Sequence, residues 1–420
     1  MKLVVLIIFL LTYLFLIIKR ERAFIILGLS IFLLLVSGAM SIKQVFFSIN
    51  FNVLGVFLGT MILSDLFIFS DVPAYLAIKL VDKAKTTGMA FLSVCILSGL
   101  ISSVVENVAT VLIVAPIGFE VARKLKADPI PFIIGIAVSA NLQGCATMVG
   151  DSTSIILALS SGMNFLDFFW MNKRPGIAFA VELGAVASFL VLYLLFRKYK
   201  EPPIAIKEAK VKTWFPTWLI VLMILTLSLT SFIKQKSPYI IAMICLGFSL
   251  IGLIWHELKH KESISLIKDL DWHTFFFLIG IFILVGSLTY AGIIQDIARI
   301  ISFLTKGNPF FAYTVIVWLS VFLSAFVDNI PYTVTMIPVA KIVAFSLGIS
   351  QWPFLFGLLI GTSLGGNITP IGASANIVGV GLLRKEGHQV RFYDFIKIGL
   401  PFTLSAVTVA YLFIWLVWKG

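Results

Sequence analysis

The sequence has few charged residues and very few cysteines and histidines. Only 12% of its 420 residues are charged, against about 25% in soluble domains, and 60% are hydrophobic. Cys95, Cys145 and Cys245 lie far apart with no CxxC spacing, so neither a disulfide framework nor a zinc site is expected. The four histidines have no neighbouring ligands that would indicate a metal site. No polar stretch is long enough for a separate soluble domain. These absences indicate that lipid is the main solvent of the chain.

Catalytic patterns are also missing from the apolar segments. An intramembrane protease would need paired catalytic aspartates, a Ser–His pair or a His-Glu-x-x-His helix, and the spans contain none of these. No covalent chemistry and no cofactor are therefore expected. The net charge of +12 does not indicate nucleic-acid binding, because the basic residues lie in short loops between spans, where they set orientation.

Apolar runs long enough to cross a bilayer recur along the whole chain. A crossing needs about 20 residues. The first run, Met1–Ile18, has no small-residue cleavage site and is interpreted as a retained span rather than a signal peptide. Ordinary spans are predicted near residues 3–18, 23–41, 47–70, 130–160, 175–196, 214–233, 238–255, 272–290, 350–383 and 393–418.

Two apolar stretches do not fit as simple spans. Gly88–Ala122 is interrupted by Glu106-Asn107, and Asn308–Ala340 is interrupted by Asp328–Pro331. Each is too long for one crossing and too short for two at about 20 residues each. A re-entrant hairpin, which enters the membrane, turns at a polar tip and leaves on the same side, is predicted for both.

Loop charge supports the hairpins. With both stretches re-entrant, 22 of the 32 Lys and Arg residues fall on the cytoplasmic side. If each stretch were a single crossing, the two sides would carry equal numbers, and the usual excess of positive charge inside would vanish. Two full crossings per stretch would give the same charge distribution, so only length argues against that alternative.

An internal repeat defines the architecture. Asn107 and Asn329 are separated by 222 residues, and so are Pro116 and Pro338. In the predicted topology the hairpins enter from opposite sides, so the repeats are inverted, which places a substrate site at their interface. The fold class is thus an all-α polytopic membrane protein with two inverted repeats, about ten full spans and two hairpins. The predicted divisions are N-terminal spans 1–44, a first repeat 45–200 (hairpin 88–122, broken span 130–160), a cytoplasmic linker 201–213, connecting spans 214–258, and a second repeat 259–420 (hairpin 308–340, broken span 350–383).

A span rich in glycine and small polar residues follows each hairpin. The polar segments are 141–154 in the first half and 361–376 in the second. A helix that is broken inside the membrane leaves backbone N–H and C=O groups without partners. These groups must be satisfied by protein, water or an ion. The segments are therefore candidate coordination loops. The alternative is a glycine-rich packing interface between helices.

Five acidic residues fall within predicted membrane segments, at Asp65, Glu106, Asp151, Glu182 and Asp328. A charge at the bilayer centre costs at least about 2.5 kcal/mol, so each is a functional candidate. Glu106 and Asp328 occupy equivalent repeat positions and are the strongest candidates, as ion ligands or proton carriers. Either carboxylate could also cap the helix that follows it.

No Lys or Arg occurs at either tip or in either broken span. A strongly anionic substrate would therefore need Na⁺ or helix dipoles to balance its charge. A cation, or a neutral hydroxide-type solute exchanged for protons, fits more simply. Cys145 beside the first broken loop could contact a thiophilic solute, or could be a small residue in a tight interface.

At these motifs the chain resembles the ion transporter superfamily, which includes arsenite efflux permeases, citrate and dicarboxylate carriers, the melanosomal P protein and a group of Na⁺/H⁺ antiporters. The resemblance is carried by Val105–Thr110 with Pro116, by Ser324–Thr333 with Pro338, and by the two broken spans, and it covers nearly the whole chain. It implies two re-entrant hairpins, two unwound helices and an elevator-type or related alternating-access motion, often in a homodimer.

The hairpin tips help to choose a branch of that superfamily. Dicarboxylate carriers typically have Ser-Asn-Thr at both tips, whereas the tips here read Glu-Asn-Val and Asp-Asn-Ile, which is similar to the arsenite-permease and P-protein branch. The first broken loop of that branch often reads Gly-Asp-Pro-Pro-Asn, but this chain has Gly150–Ser154 as Gly-Asp-Ser-Thr-Ser. This difference leaves the substrate and the coupling ion open.

The resulting hypothesis is a secondary active transporter in a prokaryotic plasma (inner) membrane, of the arsenite-permease type, that moves a small inorganic solute or anion and is coupled to protons. The alternatives are a Na⁺/H⁺ antiporter, Na⁺-coupled carboxylate uptake, or a passive channel. The expected partners are the solute and the bilayer, and the coupling ion is H⁺ or Na⁺, with Na⁺ bound near the tip asparagines and the broken-span loops. The predicted substrate- and ion-binding residues are Glu106, Asn107, Thr147, Asp151, Ser152, Asp328, Asn329, Asn367, Thr369, Ser374 and Asn376.

Overall fold

The computed structural model of the chain describes residues 1–19, 22–124, 127–203, 210–233 and 237–419. Five basic residues of the charge distribution above lie outside the described residues, as does the 204–209 part of the predicted linker; they are Arg20, Lys126, Lys207, Lys234 and Lys236. Within the described part the fold is almost entirely helical. Its strands are the antiparallel pair β1 (Trp170–Met171) and β2 (Arg174–Pro175). The chain is an all-α polytopic membrane protein, as the sequence predicts.

The described residues of the first half of the chain form ten α-helices. In order they are α1 (Lys2–Ile18), α2 (Ala23–Val36), α3 (Ile42–Ser48), α4 (Phe51–Phe69), α5 (Val72–Lys83), α6 (Thr87–Ser102), α7 (Asn107–Lys124), α8 (Ile130–Gly144), α9 (Ser152–Ser161) and α10 (Ile177–Phe196).

Ten more helices form the second half. They are α11 (Phe215–Thr230), α12 (Ile240–His260), α13 (Ser263–Asp269), α14 (Trp272–Tyr290), α15 (Ile293–Leu304), α16 (Pro309–Ser324), α17 (Asn329–Ser346), α18 (Trp352–Gly365), α19 (Ser374–Lys385) and α20 (Phe392–Trp418).

The sequence repeat reappears in the helix bounds. Helices α3, α4 and α5 have the same lengths as α13, α14 and α15, which begin 221 residues later. Helices α6 and α7 have the same lengths as α16 and α17, which begin 222 residues later. One added residue between α5 and α6 therefore accounts for the difference between the two spacings. The predicted division into domains stays a prediction.

Both anomalous stretches form helical hairpins. The first consists of α6 and α7, joined by residues 103–106, and the second of α16 and α17, joined by residues 325–328. Side chains start the first helix of each pair, since the Thr86 hydroxyl accepts from Met89 N (3.2 Å) and the Asn308 amide oxygen accepts from Phe311 N (3.0 Å). At 16 residues each, α6 and α16 are about 24 Å long.

Both glycine-rich spans are broken at the predicted places. In the first, residues 145–151 separate α8 from α9, and in the second, residues 366–373 separate α18 from α19 and include a 3₁₀ turn at Gly366–Ile368. Every residue from Phe132 to Gly144 is buried, and so is every residue from Pro353 to Gly365. Helices buried on all faces belong to the centre of the bundle. Residues 145–150 of the first break are buried, and the second break is largely buried, with Ile371 exposed.

The hairpins and broken spans pack together, and other helices surround them. Helix α6 packs on α8, α16 packs on α18, and α10 packs on α20, while α4 packs on α12 and α2 packs on α14. The outer helices α1, α2, α11 and α12 carry many exposed Leu, Ile and Phe side chains, as expected for surfaces that face lipid. Five of the described helices are long and apolar enough to cross a membrane by length and composition.

The structure contains four short helices that were not among the predicted spans. Helices α3, α5, α13 and α15 have 7 to 12 residues, below the length of the apolar runs on which the prediction depended. The predicted span 47–70 is shortened to α4 because α3 occupies its beginning. Helix α5 begins after Asp71, which has a positive φ of 59°, so the chain turns sharply there. Helices α5 and α15 connect α4 and α14 to the hairpins that follow them, whereas α3 and α13 come directly before α4 and α14.

The inverted topology predicted from the sequence can be tested at residues 123 and 306. Arg123 and Lys306 are exposed at the bases of the two hairpins, and the three native cysteines are buried. In intact cells, a membrane-impermeant maleimide should label Lys306→Cys, whereas Arg123→Cys should react only after permeabilisation. Labelling of both positions from the same side would contradict the inverted repeat.

Candidate functional site

The two hairpin tips and the two broken spans meet around a small cavity of about 40 Å³, called the central cavity below. Helix α14 completes its wall through Thr274. By this measure a water needs about 10–15 Å³, so the cavity holds roughly three waters or a solute of similar size. The lining residues are Glu106, Asn107, Val108, Asn141, Asp151, Ser152, Thr274, Asp328, Asn329, Ile330, Ala373, Ser374 and Ala375.

Three carboxylates share the central cavity, those of Glu106, Asp151 and Asp328. No Lys, Arg or His is present among the described residues that line it. The carboxylates are not gathered tightly enough to form a ready metal site, since no group of three or more His, Cys, Asp or Glu in the described chain could hold a metal ion. The cavity therefore offers separate acceptor groups around a small space.

Both tip carboxylates cap the helices that follow them. Glu106 Oε2 accepts from Val108 N (2.8 Å) and Ala109 N (3.0 Å), and Asp328 Oδ1 accepts from Ile330 N (3.0 Å). The capping alternative considered from the sequence is thus present in the structure. It coexists with exposure of both carboxylates to the central cavity, because a carboxylate has several acceptor positions.

Asn107 joins the first tip to the first broken span. Its Oδ1 accepts from Ser102 Oγ (2.6 Å), and its Nδ2 donates to Asn141 Oδ1 (3.2 Å) and Asp151 Oδ1 (3.3 Å). Asp151 also accepts from the Thr153 hydroxyl. A single amide thereby fixes the position of one of the three carboxylates.

Asn329 occupies the equivalent place in the second half. Its side-chain amide lies 2.6 Å from Ser324 Oγ, as Asn107 lies from Ser102. With its nitrogen facing the broken span, it donates to Gly372 O (3.1 Å) and Thr362 O (3.2 Å). The second asparagine thus holds backbone carbonyls where the first holds a carboxylate, since Ala373 takes the place of Asp151 in the repeat.

Thr147 and Thr369 each form a hydrogen bond between a broken span and the hairpin tip of the same half. Their hydroxyls donate to the last carbonyls before the tips, Ser103 O and Ala325 O respectively. Neither threonine lines the central cavity. Each hydroxyl satisfies a backbone group that a helix end leaves unpaired, and a direct role of either threonine in the solute site stays a prediction.

Asn367 and Asn376 also lie outside the cavity wall. Asn367 is fully buried, accepts from Asn141 Nδ2 (3.0 Å) and donates to Val138 O (3.0 Å), so it links the two halves. Asn376 Nδ2 donates to Gly366 O (2.9 Å) and Thr369 O (3.0 Å) across the second break. Both amides stabilise unwound backbone, which their position in the sequence does not distinguish from ligand binding.

The remaining predicted residues, Ser152 and Ser374, line the cavity from equivalent positions at the starts of α9 and α19. Two polar lining residues were not predicted, Asn141 and Thr274. Asn141 lies within a recognised polar segment and could have been chosen. Thr274 belongs to α14, outside the hairpins and broken spans. The sequence marks it only as the residue three positions after Asp271, whose Oδ1 accepts from Thr274 N (2.9 Å) at the start of the helix.

Other membrane acids and the cysteines lie elsewhere. Glu182 accepts from Gln143 Nε2 (3.1 Å) and lines a different cavity of about 300 Å³. Asp65 is not among the residues lining the central cavity. Cys145 is fully buried and donates to Leu142 O (3.0 Å), so it is a packed small residue and does not line the cavity.

Two glycines permit the close approach of the tip asparagines. A Cβ on Gly144 would lie 2.3 Å from Asn107 Oδ1, and one on Gly366 would lie 2.8 Å from Asn329 Oδ1. Both distances are far below van der Waals contact. An alanine at either position would push the asparagine out of its hydrogen bonds.

Gly144→Ala is therefore expected to destabilise the protein by about 1–3 kcal/mol, because Asn107 must move. Gly247→Ala is the control, since a Cβ there meets nothing within 4 Å and alanine favours the helix by about 0.5–1 kcal/mol. Thermal unfolding of the purified proteins in the same detergent should show a lower Tm for Gly144→Ala only. Equal Tm values would show that the contact is easily relieved.

Known proteins resemble the chain over most of its length. It is 30% identical over 382 residues to an uncharacterized transporter of Mycobacterium tuberculosis strain H37Rv, covering 88% of this chain and 86% of that one. It is 28% identical over 399 residues to an uncharacterized transporter of Synechocystis, covering 88% and 87%. The mouse P protein is 25% identical over 459 residues, and the match covers 90% of this chain but 55% of the P protein.

A solved structure has the same fold. The YdaH transporter of Alcanivorax borkumensis superposes with a TM-score of 0.58 at 16% identity, covering 87% of this chain and 84% of that one. The relatives and the apolar helices make this an integral membrane transporter, and the bacterial relatives indicate a plasma membrane. Residues 12–361 match the citrate transporter family. The chain belongs to that family, within the ion transporter superfamily that its tip motifs resemble.

Proposed function

We propose that the protein is a secondary active transporter that exchanges protons for a small inorganic solute, either neutral or cationic, of the arsenite type. The observation that carries this proposal is the central cavity, with three carboxylates around about 40 Å³ and no basic residue among its described lining. Like charges confined to a small space repel one another, and binding of protons or a cation relieves the repulsion.

A neutral hydroxide-type solute such as arsenous acid suits this arrangement. Its hydroxyl groups can donate hydrogen bonds to carboxylates spread around the cavity, while Ser152 and Ser374 at the starts of α9 and α19 add further polar groups. Protons bound by Glu106 and Asp328 would provide the coupling. These two residues belong to different repeats, so opening to one side or the other would change the surroundings of each in turn.

Sodium–proton exchange is the second candidate. The same carboxylates, together with the amide oxygens of the tips and the carbonyls of the broken spans, are oxygen ligands of the kind that hard cations prefer. A citrate-type substrate is less favoured, although the matched family carries that name. It has three negative charges, is several times larger than the cavity, and would face three carboxylates.

The test is flux into proteoliposomes that contain the purified protein, with an imposed pH gradient and a panel of arsenite, Na⁺ and citrate. Uphill accumulation of arsenite or Na⁺ is expected, and citrate is expected to give none. Flux that only runs downhill would favour a passive channel. Uphill citrate transport would contradict the proposal.

The double variant Glu106→Gln, Asp328→Asn is expected to lower proton-driven flux about tenfold or more, because an amide cannot carry the proton that a carboxylate carries. The amide oxygens can still accept from Val108 N and Ile330 N, so the caps should survive. Glu182→Gln is the matched control, an equally conservative change in a cavity apart from the central one. Undiminished uphill transport by the double variant would reject the proton-carrying role.

A further inference from the structure

A second cavity lies directly behind the second hairpin tip. It has a volume of about 250 Å³ and is bounded by α1, α14, residues 326–331 and α19. It is called the lateral cavity below. Its walls are almost entirely apolar and include Leu16, Phe277, Phe326 and Ile377.

Asp328 is the only charged residue among the described residues that line the lateral cavity, and the same residue lines the central cavity. Its backbone-capping bond to Ile330 N uses Oδ1, and a carboxylate can accept further hydrogen bonds. The two cavities thus share one carboxylate as part of their walls.

The hydroxyl of Tyr13 is the second polar group of the lateral cavity. It is buried and has no hydrogen-bond partner within the part of the chain that the structure describes. The hydroxyl of Thr335, which lies near it, donates to Pro331 O (2.8 Å). Buried hydroxyls are normally hydrogen-bonded, and leaving one unpaired destabilises the protein. A ligand that bonds to the phenol would remove this cost.

The rim of the lateral cavity is exposed and apolar. Ile17 is 52% exposed, Phe326 45% and Ile371 48%. In an integral membrane protein, exposed apolar side chains of this kind face lipid. The cavity is therefore reached from the bilayer rather than through water.

We propose that the lateral cavity binds a small lipophilic amine in its protonated form. The apolar body would fill the space between α1 and α14, and the ammonium group would pair with Asp328 and bond to the Tyr13 hydroxyl. Charge complementarity decides this occupant, because an ammonium group needs a partner in a low-dielectric site and a fatty-acid carboxylate would be repelled. A cavity of about 150 Å³ accommodates benzene, so 250 Å³ accommodates one ring with a short alkyl chain.

Occupation of the lateral cavity has a consequence that rests on the proposed function. An amine paired with Asp328 would compete with the proton or cation that the same carboxylate binds from the central cavity. Such amines would then inhibit transport from the lipid side, without entering the central cavity.

The experiment measures binding of 4-phenylbutylamine to purified protein in nanodiscs by isothermal titration calorimetry, with 4-phenylbutan-1-ol as the neutral analogue. The amine should bind about tenfold more tightly than the alcohol, as expected for a hydrogen bond to a charged group. Tyr13→Phe, which keeps the ring, should weaken amine binding about three- to tenfold. Asp328→Asn should remove the preference for the amine over the alcohol.

A matched pair of variants controls for partition into lipid. Leu16→Trp fills the lateral cavity and should abolish binding, whereas Leu14→Trp lies on the same helix, is exposed and does not line the cavity, and should bind as the unchanged protein does. Equal binding of amine and alcohol, or amine binding that survives Leu16→Trp, would overturn the proposal. Calorimetric binding needs no transport, so amine binding to a protein that shows no proton-driven flux would refute the proposed function alone.

Discussion

The structure depends on the requirement that backbone polar groups inside a membrane be satisfied by the protein itself. Two helices are unwound and two hairpins turn within the helix bundle, so the backbone groups that these breaks leave unpaired need partners. The hairpin tips and the broken spans supply hydrogen-bond partners to each other. Thr147 and Thr369 in the broken spans bond to tip carbonyls, and the tip asparagine of the second hairpin bonds to the carbonyls of its broken span. The central cavity is formed where these mutual contacts leave a gap.

The two repeats share this scaffold but differ in the groups they present. Asp151 in the first half corresponds to Ala373 in the second, and Asn141 corresponds to Ser363. The differing residues contact one another across the interface, since Asn141 Nδ2 donates to Ser363 O (2.7 Å). Symmetry thus sets the hairpin tips and their fastening, while asymmetric substitutions set the chemistry of the cavity. The first repeat alone would lack Asp328, and the second alone would lack Glu106 and Asp151. Either one alone would also lack the opposite wall of the cavity.

Much of this could be predicted from the sequence because the signals are long or repeated. Hairpins and broken spans follow from run length and from the 222-residue spacing, and the tip carboxylates follow from the cost of charge in lipid. The roles of polar residues within the breaks could not be predicted. Thr147 and Ser152 belong to the same polar segment, yet one fastens backbone and the other lines the cavity. Whether a hydroxyl bonds to backbone or lines the cavity depends on the conformation of the unwound backbone. The spacing of residues in the sequence does not determine that conformation. Thr274 and Tyr13 were missed because their helices approach the site only through tertiary packing.

Asp328 has three roles in the structure. As a cap it stabilises the start of α17, as part of the wall of the central cavity it contributes a carboxylate there, and as part of the wall of the lateral cavity it borders an apolar space open toward lipid. Glu106 has the first two roles, but among the described cavities it lines only the central one. The difference arises from α1, whose Tyr13 reaches the second tip. The two equivalent carboxylates therefore have chemically unequal surroundings, because among the described cavities only Asp328 lines an apolar one whose rim is exposed toward lipid.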